Sequence, residues 1–248
     1  MSETITLEQF RPQLVTCLNC FCGLCVYRCP TYVEVMNEAV TARGLSQICL
    51  ALLDGELELS ELPDELVYAC TGCRWCEWTC SLNTPLYIQR YGTRETKVSG
   101  ATMTEILRSM KVERGEVPEV VKEALDNIVQ VGNPYGKSKG AKDSWAERLG
   151  HKFDGKGTLL YVGSMVPYEA RATQMAEALV KVLEKGGVEF SMLGADESDS
   201  GALARYMGEE GLFADLVERN SKLFEQKGIR EIICLSSSAI YGVKFTSG

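Results

Sequence analysis

Histidine is nearly missing from these 248 residues, with His151 standing alone. One imidazole cannot supply the pair that a Rieske centre requires, and so small a supply argues against zinc-hydrolase or Ser-His-Asp chemistry. His151 itself reads as a surface or linker residue. Positive charge is also short: 26 Lys and Arg stand against 34 Asp and Glu, a net charge of -8. The broad positive field that nucleic acid or an anionic membrane demands is therefore absent. Nowhere do eighteen consecutive apolar residues occur, which argues against a membrane-spanning helix, and Met1 to Pro12 holds no apolar core of signal-peptide length. These features place the chain in the cytoplasm. The segment Gly132-Asn-Pro-Tyr-Gly136-Lys137-Ser138 imitates a phosphate loop, but it has three residues between its glycines where four are needed, and it follows a helical pattern rather than a strand.

What the chain has in excess is cysteine, eleven in all. An odd count in a reducing compartment argues against disulfides and for metal. Nine of the eleven fall in two groups. The second reads Cys70-Thr-Gly-Cys73-Arg-Trp-Cys76-Glu-Trp-Thr-Cys80, which is C-x2-C-x2-C-x3-C. In that spacing one tight loop offers three thiolates to three corners of a [4Fe-4S] cube, while the fourth cysteine ligates the other cluster. Structural zinc uses two separate C-x2-C knuckles and has no need of this pattern. The first group reads Cys17-Leu-Asn-Cys20-Phe-Cys22-Gly-Leu-Cys25-Val-Tyr-Arg-Cys29-Pro30 and ends on the C-x3-C-P of bacterial ferredoxins. Its front is irregular, so either Cys20 or Cys22 is an extra thiol; the tight Cys22-Gly-Leu-Cys25 turn favours Cys22 as the ligand.

With crossed ligation one cluster takes Cys17, Cys22, Cys25 and Cys80, and the other takes Cys70, Cys73, Cys76 and Cys29. Two [4Fe-4S] clusters held in this way tie two distant loops together and order the segment between them, in which Ala39 to Leu53 reads as helix. Ser81 replaces the proline expected after Cys80, with Pro85 four residues on. Phe21, Tyr27, Trp75 and Trp78 lie within the cysteine loops and are expected to be buried, as core or as a water-excluding wall around the clusters. Cys49, among Ile48, Leu50 and Leu52, reads as a small buried apolar residue, and Cys234 as strand packing.

Beyond Cys80 the pattern is helical through Met103, Ile106, Leu107 and Met110, and again from Val117 to Val129, with Pro118 in a first turn and Gly132 ending it. Gly132 to Gly157 reads as a linker. From Thr158 short apolar runs (158–162, 188–193, 229–235) alternate with helices, one striped by Met175, Leu179, Val180 and Leu183, the other by Leu212, Phe213, Leu216, Val217, Leu223 and Phe224. Such alternation predicts a parallel sheet covered by helices. The fold class expected is thus multidomain α+β: a cysteine-bearing helical domain at 1–110, a helical connector and linker at 111–157, and a small α/β domain at 158–248.

The two cysteine groups, with Cys29-Pro-Thr-Tyr32 and some forty helical residues between them, resemble the α-helical ferredoxin module found in the C and D subunits of heterodisulfide reductase. The same module occurs in the iron-sulfur subunits of glycolate oxidase and of anaerobic glycerol-3-phosphate dehydrogenase. The resemblance covers roughly residues 10 to 100. It implies single-electron relay between a flavoprotein subunit and a second, catalytic site. In these families the module precedes CCG domains, whose cysteines can hold a non-cubane cluster. The matching positions here are Tyr161-Val-Gly-Ser164, Asp199-Ser-Gly201 and Ser237-Ser-Ala-Ile-Tyr241. Every expected cysteine is replaced, so the domain resembles a CCG fold that has lost its cluster, since iron needs soft sulfur ligands. Many relatives carry two CCG units where this chain has one, which implies completion by another subunit.

The leading expectation is a non-catalytic electron-transfer subunit of a heterodisulfide-reductase-like complex, partnered by a flavoprotein and by a CCG-domain protein of the B-subunit kind. The alternatives are the iron-sulfur subunit of an FAD-linked 2-hydroxy-acid or glycerol-3-phosphate dehydrogenase, and a structural or redox-sensing iron-sulfur scaffold.

Overall fold

Thr41 and Ser99 start the two helices around which the first part of the chain is built. In this computed structural model residues 6–83, 98–155 and 158–244 are described; Pro85 and Gly157 lie outside them. Two compact units result, one of residues 1–117 with 206–208, the other of 118–205 with 209–248.

In the first unit short helices α1 (Arg11–Cys20), α2 (Leu24–Arg28) and α3 (Pro30–Val35) lead to α4 (Ala42–Leu53). The Thr41 Oγ1 accepts the Gly44 amide at 3.2 Å and caps α4. The expected helix at 39–53 is therefore split, with a 3-10 turn at Glu38–Val40 preceding the cap. Gly44 is required because a Cβ there would collide with the Glu38 carbonyl oxygen, so this turn lies directly against α4. After α5 (Asp64–Val67) and α6 (Trp75–Thr79), helix α7 (Gly100–Glu113) begins at Ser99, whose Oγ accepts the Thr102 amide at 3.1 Å. Met103, Ile106 and Leu107 recur at three and four and enter one core with Leu14, Leu45, Cys49 and Val67. Each such side chain contributes roughly 1.5–3 kcal/mol on full burial.

The second unit opens with α8 (Glu119–Val131), stopped by Gly132 at φ +75°. The following segment is not the linker its Gly, Lys and Ser content suggested. It contains α9 (Gly140–Arg148), whose Trp145 and Ala146 are buried in the same core as Leu160, Val162 and Val180. Polar composition misled here because a nine-residue helix needs few apolar side chains to reach a core. The connector expected at 111–157 is accordingly divided, 111–117 belonging to the first unit and the rest to the second. Strands β1 (Thr158–Tyr161), β2 (Phe190–Ser191) and β3 (Ile232–Cys234) form a parallel sheet in the order β2-β1-β3, with Leu159 opposite both Ser191 and Ile232. Helices α10 (Ala170–Lys185), α11 (Ala202–Tyr206), α12 (Glu210–Gln226) and α13 (Ser237–Val243) complete the chain. Met175 is exposed; the inward stripe of α10 runs through Ala172, Ala176, Leu179, Val180 and Leu183 instead. Cys234 ends β3 opposite Tyr161, half-buried against Phe224 and Ala239.

Candidate metal centres

The nine clustered cysteines line two hollows in the first unit. One is lined by Cys17, Cys20, Cys22, Cys25, Cys76 and Cys80, with Ala42, Leu82 and Val98 among its apolar walls. The other is lined by Cys29, Cys70, Cys73 and Cys76, with Val40 and Trp75. Cys80 thus stands with the first loop and Cys29 with the second, while Cys76 borders both. Among the described residues no three His, Cys, Asp or Glu side chains converge as tightly as a single ion would need. The sulfurs surround space rather than a point.

The two loops repeat one another. Phe21 and Gly72 have φ of +53° and +67°, and Gly23 and Arg74 have φ of +59° and +56°, each pair 51 positions apart. Helix α2 then starts at Leu24 and α6 at Trp75, and Cys29 and Cys80 return to extended backbone. In this register Cys22, Cys25 and Cys29 correspond to Cys73, Cys76 and Cys80. Asn19 stands opposite Cys70, flanked by Cys17 and Cys20. Phe21 and Arg74 adopt a left-handed conformation that costs non-glycine residues about 1–2 kcal/mol, retained where the loop must wrap.

Several contacts hold the sulfurs in place. The Gly100 amide donates to Cys76 Sγ at 3.3 Å and the Gly72 amide to Cys70 Sγ at 3.5 Å. The Cys20 sulfur lies 3.4 Å from Ser81 Oγ, the residue found where a proline was expected. Burial pushes the Cys25 thiol up to about 12 and Cys76 to about 11, and raises Cys17. For Cys22 burial acts upward but is outweighed by hydrogen bonds from Ser81, the Leu24 amide and Cys20, so this thiol falls below its ordinary value. Soft sulfur donors in apolar surroundings fit an iron-sulfur cluster, whose binding displaces the thiol protons.

Polar residues of α7 that sequence periodicity did not single out position the second loop. Arg108 Nε donates to the Val67 carbonyl at 3.0 Å and Nη2 to the Cys70 carbonyl at 2.9 Å. Lys111 Nζ meets Asp64 Oδ1 at 2.7 Å, and Glu105 meets Arg74 at 3.3 Å. Buried charge at three helical positions was the signal available, but on a sequence it reads as a solvated face. The aromatic expectation fails differently. Trp75 lines the second hollow yet is half-exposed, and Phe21, Tyr27 and Trp78 are exposed, so none is core.

In the second unit Ser164, Asp199 and Ser200 are buried, whereas Ser237 and Ser238 are exposed in the first turn of α13. The Asp199 carboxylate is turned onto its own loop, accepting the Gly201 amide at 2.7 Å. The amides of Val162 and Gly163, just past β1, donate to the fully buried Glu197 carboxylate at 3.2 and 2.8 Å, and Lys142 Nζ pairs with it at 2.8 Å. Hard, internally satisfied oxygens do not fit a cluster here. Lys142 and Glu197, 55 positions apart, carried no motif. The imitation phosphate loop is an asparagine-centred turn, with Asn133 Oδ1 accepting the Tyr135 and Lys137 amides, both at 3.1 Å.

Residues 160–238 match the CCG cysteine-rich domain model, and within that range Cys234 is the lone cysteine. The chain is 30% identical over 209 residues to the EtfAB:quinone oxidoreductase of Syntrophomonas wolfei, covering 81% of this chain and 27% of that protein. It is 25% identical over 238 residues to the D subunit of dihydromethanophenazine:CoB--CoM heterodisulfide reductase from Methanosarcina mazei, covering 86% of this chain and 53% of that one. A shorter match, 40% over 65 residues, links 25% of the chain to 15% of a probable glycolate oxidase iron-sulfur subunit of Bacillus subtilis. The chain thus spans 28% of the first of its curated relatives, 27% of the second and 53% of the Methanosarcina protein. No solved structure matches significantly. Among the described residues no helix is long and apolar enough to cross a membrane. The chain is accordingly an iron-sulfur protein similar to the D subunit of heterodisulfide reductase, and its second unit carries a CCG-type domain in which Cys234 is the lone cysteine.

Proposed function

We propose that the chain relays single electrons through two [4Fe-4S] clusters, between a flavin-bearing subunit and a CCG-domain partner that holds the catalytic centre, within a heterodisulfide-reductase-like complex. Cys17, Cys22, Cys25 and Cys80 hold one cluster, and Cys70, Cys73, Cys76 and Cys29 the other. When bound, each cluster takes up and releases one electron at a time. The observation that carries this reading is the exchange of final cysteines between the two hollows, Cys80 lining the first and Cys29 the second. The loop repeat supports Cys22, the counterpart of Cys73, over Cys20. The chain's own residues supply the sulfur donors, exclude water with Leu82, Val98 and Val40, and fix the loops through Arg108. No catalytic role is assigned to the second unit, because Glu197 occupies the amides at the end of β1 that an α/β domain offers to a ligand.

A second reading has one specific support, the 40% identity to a glycolate oxidase iron-sulfur subunit. In it the same clusters serve an FAD-linked 2-hydroxy-acid dehydrogenase. Anaerobic iron and sulfide analysis with EPR of the dithionite-reduced protein tests the common core. About eight irons and eight sulfides with two interacting reduced signals are expected; zinc, or a single cluster, refutes the relay. The subunit that copurifies then separates the two pathways.

A further inference from the structure

Among the described residues the buried cations are Arg108, Lys111 and Lys142. Two of them rest on carboxylates, Lys111 on Asp64 at 2.7 Å and Lys142 on Glu197 at 2.8 Å. Arg108, only 8% exposed, has a different set of partners. Its guanidinium donates to the carbonyls of Val67 at 3.0 Å, of Cys70 at 2.9 Å and of Tyr206, a residue of the same compact unit. It also lies 5.0 Å from the centroid of the Tyr68 ring. These groups satisfy its N–H donors, but all are neutral. Glu105, one turn earlier on α7, is engaged by Arg74 at 3.3 Å. Among the described residues no carboxylate pairs with Arg108.

A guanidinium keeps its proton in a protein, so a permanent positive charge is held here away from water, which is costly unless an anion stands near. The cysteine loop can supply that anion. Cys70, whose carbonyl Arg108 holds, borders the second hollow with Cys29, Cys73 and Cys76. A thiolate-bound cluster is an anion, and each electron it accepts adds one further negative charge. The arginines that line the two hollows are already neutralised. Arg43, at the first, pairs with Glu38 at 3.4 Å. Arg74, at the second, meets Glu77 at 2.8 Å as well as Glu105. One cation against two carboxylates leaves the second loop with an excess of negative charge, which Arg108 offsets. Because attraction to a fixed cation is stronger for the reduced cluster than for the oxidised one, and stronger again where water is excluded, such a charge favours reduction.

We propose that Arg108 is the counter-charge of the cluster bound by Cys70, Cys73, Cys76 and Cys29 and raises its reduction potential. This rests on the electron-relay reading above. The electron comes from the donor of that relay, and no proton accompanies it, since Arg108 is charged before and after. Arg108 supplies charge and no ligand, so it is a positioning residue. The test is an anaerobic EPR redox titration of the iron-loaded full chain, unsubstituted and as Arg108→Gln and Arg108→Lys, with iron determined for each. Glutamine keeps a donor for the carbonyls without the charge, and lysine keeps the charge.

In Arg108→Gln one of the two midpoints is expected to fall by at least a tenfold shift of the reduction equilibrium, about 59 mV for one electron. The other midpoint should stay within threefold, and Arg108→Lys should leave both within threefold. Unchanged midpoints in Arg108→Gln overturn the proposal. So does an equal fall in both midpoints, or a fall in the lysine variant as large as in the glutamine one, because each of these reports loop geometry rather than charge. Should Arg108→Gln lose one cluster's iron, the lysine variant decides: retention of that cluster at its unsubstituted midpoint supports the counter-charge, and its loss from both variants overturns it. All of these outcomes leave the relay standing. Zinc or a single cluster in the unsubstituted chain instead removes the electron-relay reading, and this inference with it.

Discussion

Gly23 and Arg74 occupy the same left-handed turn, at φ +59° and +56°, in two loops 51 positions apart. Each follows the first cysteine of a C-x2-C pair, Cys22 or Cys73, and each immediately precedes a five-residue helix carrying the second, Cys25 or Cys76. The conformation is therefore set by what the loop must wrap rather than by residue preference, since arginine accepts it at a cost.

Gly23→Ala is expected to lower thermal stability by about 1–2 kcal/mol, the cost of a Cβ in this conformation. The new Cβ also meets Arg43 Nη1 at 3.3 Å. Calorimetry of the iron-loaded protein checks this, and an unchanged midpoint would contradict the strain assigned to the turn.

Cys76 borders both hollows, so Cys76→Ala is expected to remove one cluster and to weaken the other. Cys22→Ser should lower iron content more than Cys20→Ser, because Cys22 has an equivalent in Cys73. Iron determination on purified variants decides, and equal retention in both serine variants defeats the assignment of Cys22.

Trp145→Ala should destabilise the protein by about 3–5 kcal/mol, as for a buried large-to-small change. The indole is packed with Leu160 and Val180 and donates to Glu177 at 3.3 Å. A loss below about 1 kcal/mol in urea denaturation would restore the linker reading of this segment.

Glu197→Ala strands a buried Lys142 ammonium and two backbone amides, with an expected cost of about 3–5 kcal/mol. Glu197→Gln keeps the shape and an acceptor and should cost less. Comparable urea midpoints for the two variants would show that the carboxylate geometry is unimportant.

Cys49 is enclosed by the first core, and burial pushes its thiol up to about 12. At pH 8 its thiolate fraction is then on the order of 10⁻⁴. Iodoacetamide should leave it unmodified in the folded protein and label it after denaturation, as read by peptide mass. Labelling of the folded protein at the denatured rate would mean that this core opens.

The sequence alone carried the cysteine spacing, the helical stripe of α7, the alternation of strands and helices, and the missing cysteines of the CCG positions. These are legible because ligand spacing and hydrophobic periodicity are local properties of the chain. Tertiary structure decided what distant residues share. It set Cys80 beside Cys17 and Cys29 beside Cys70, and closed Glu197 over Lys142 and the end of β1. It also turned Tyr27 and Trp78 outward, although aromatic residues are ordinarily expected in a core. The physical reason is that α2 and α6 are five residues long, and their inward faces are taken by the cysteines they carry, joined in α2 by the buried Val26. A one-turn helix has no second inward face to offer a ring.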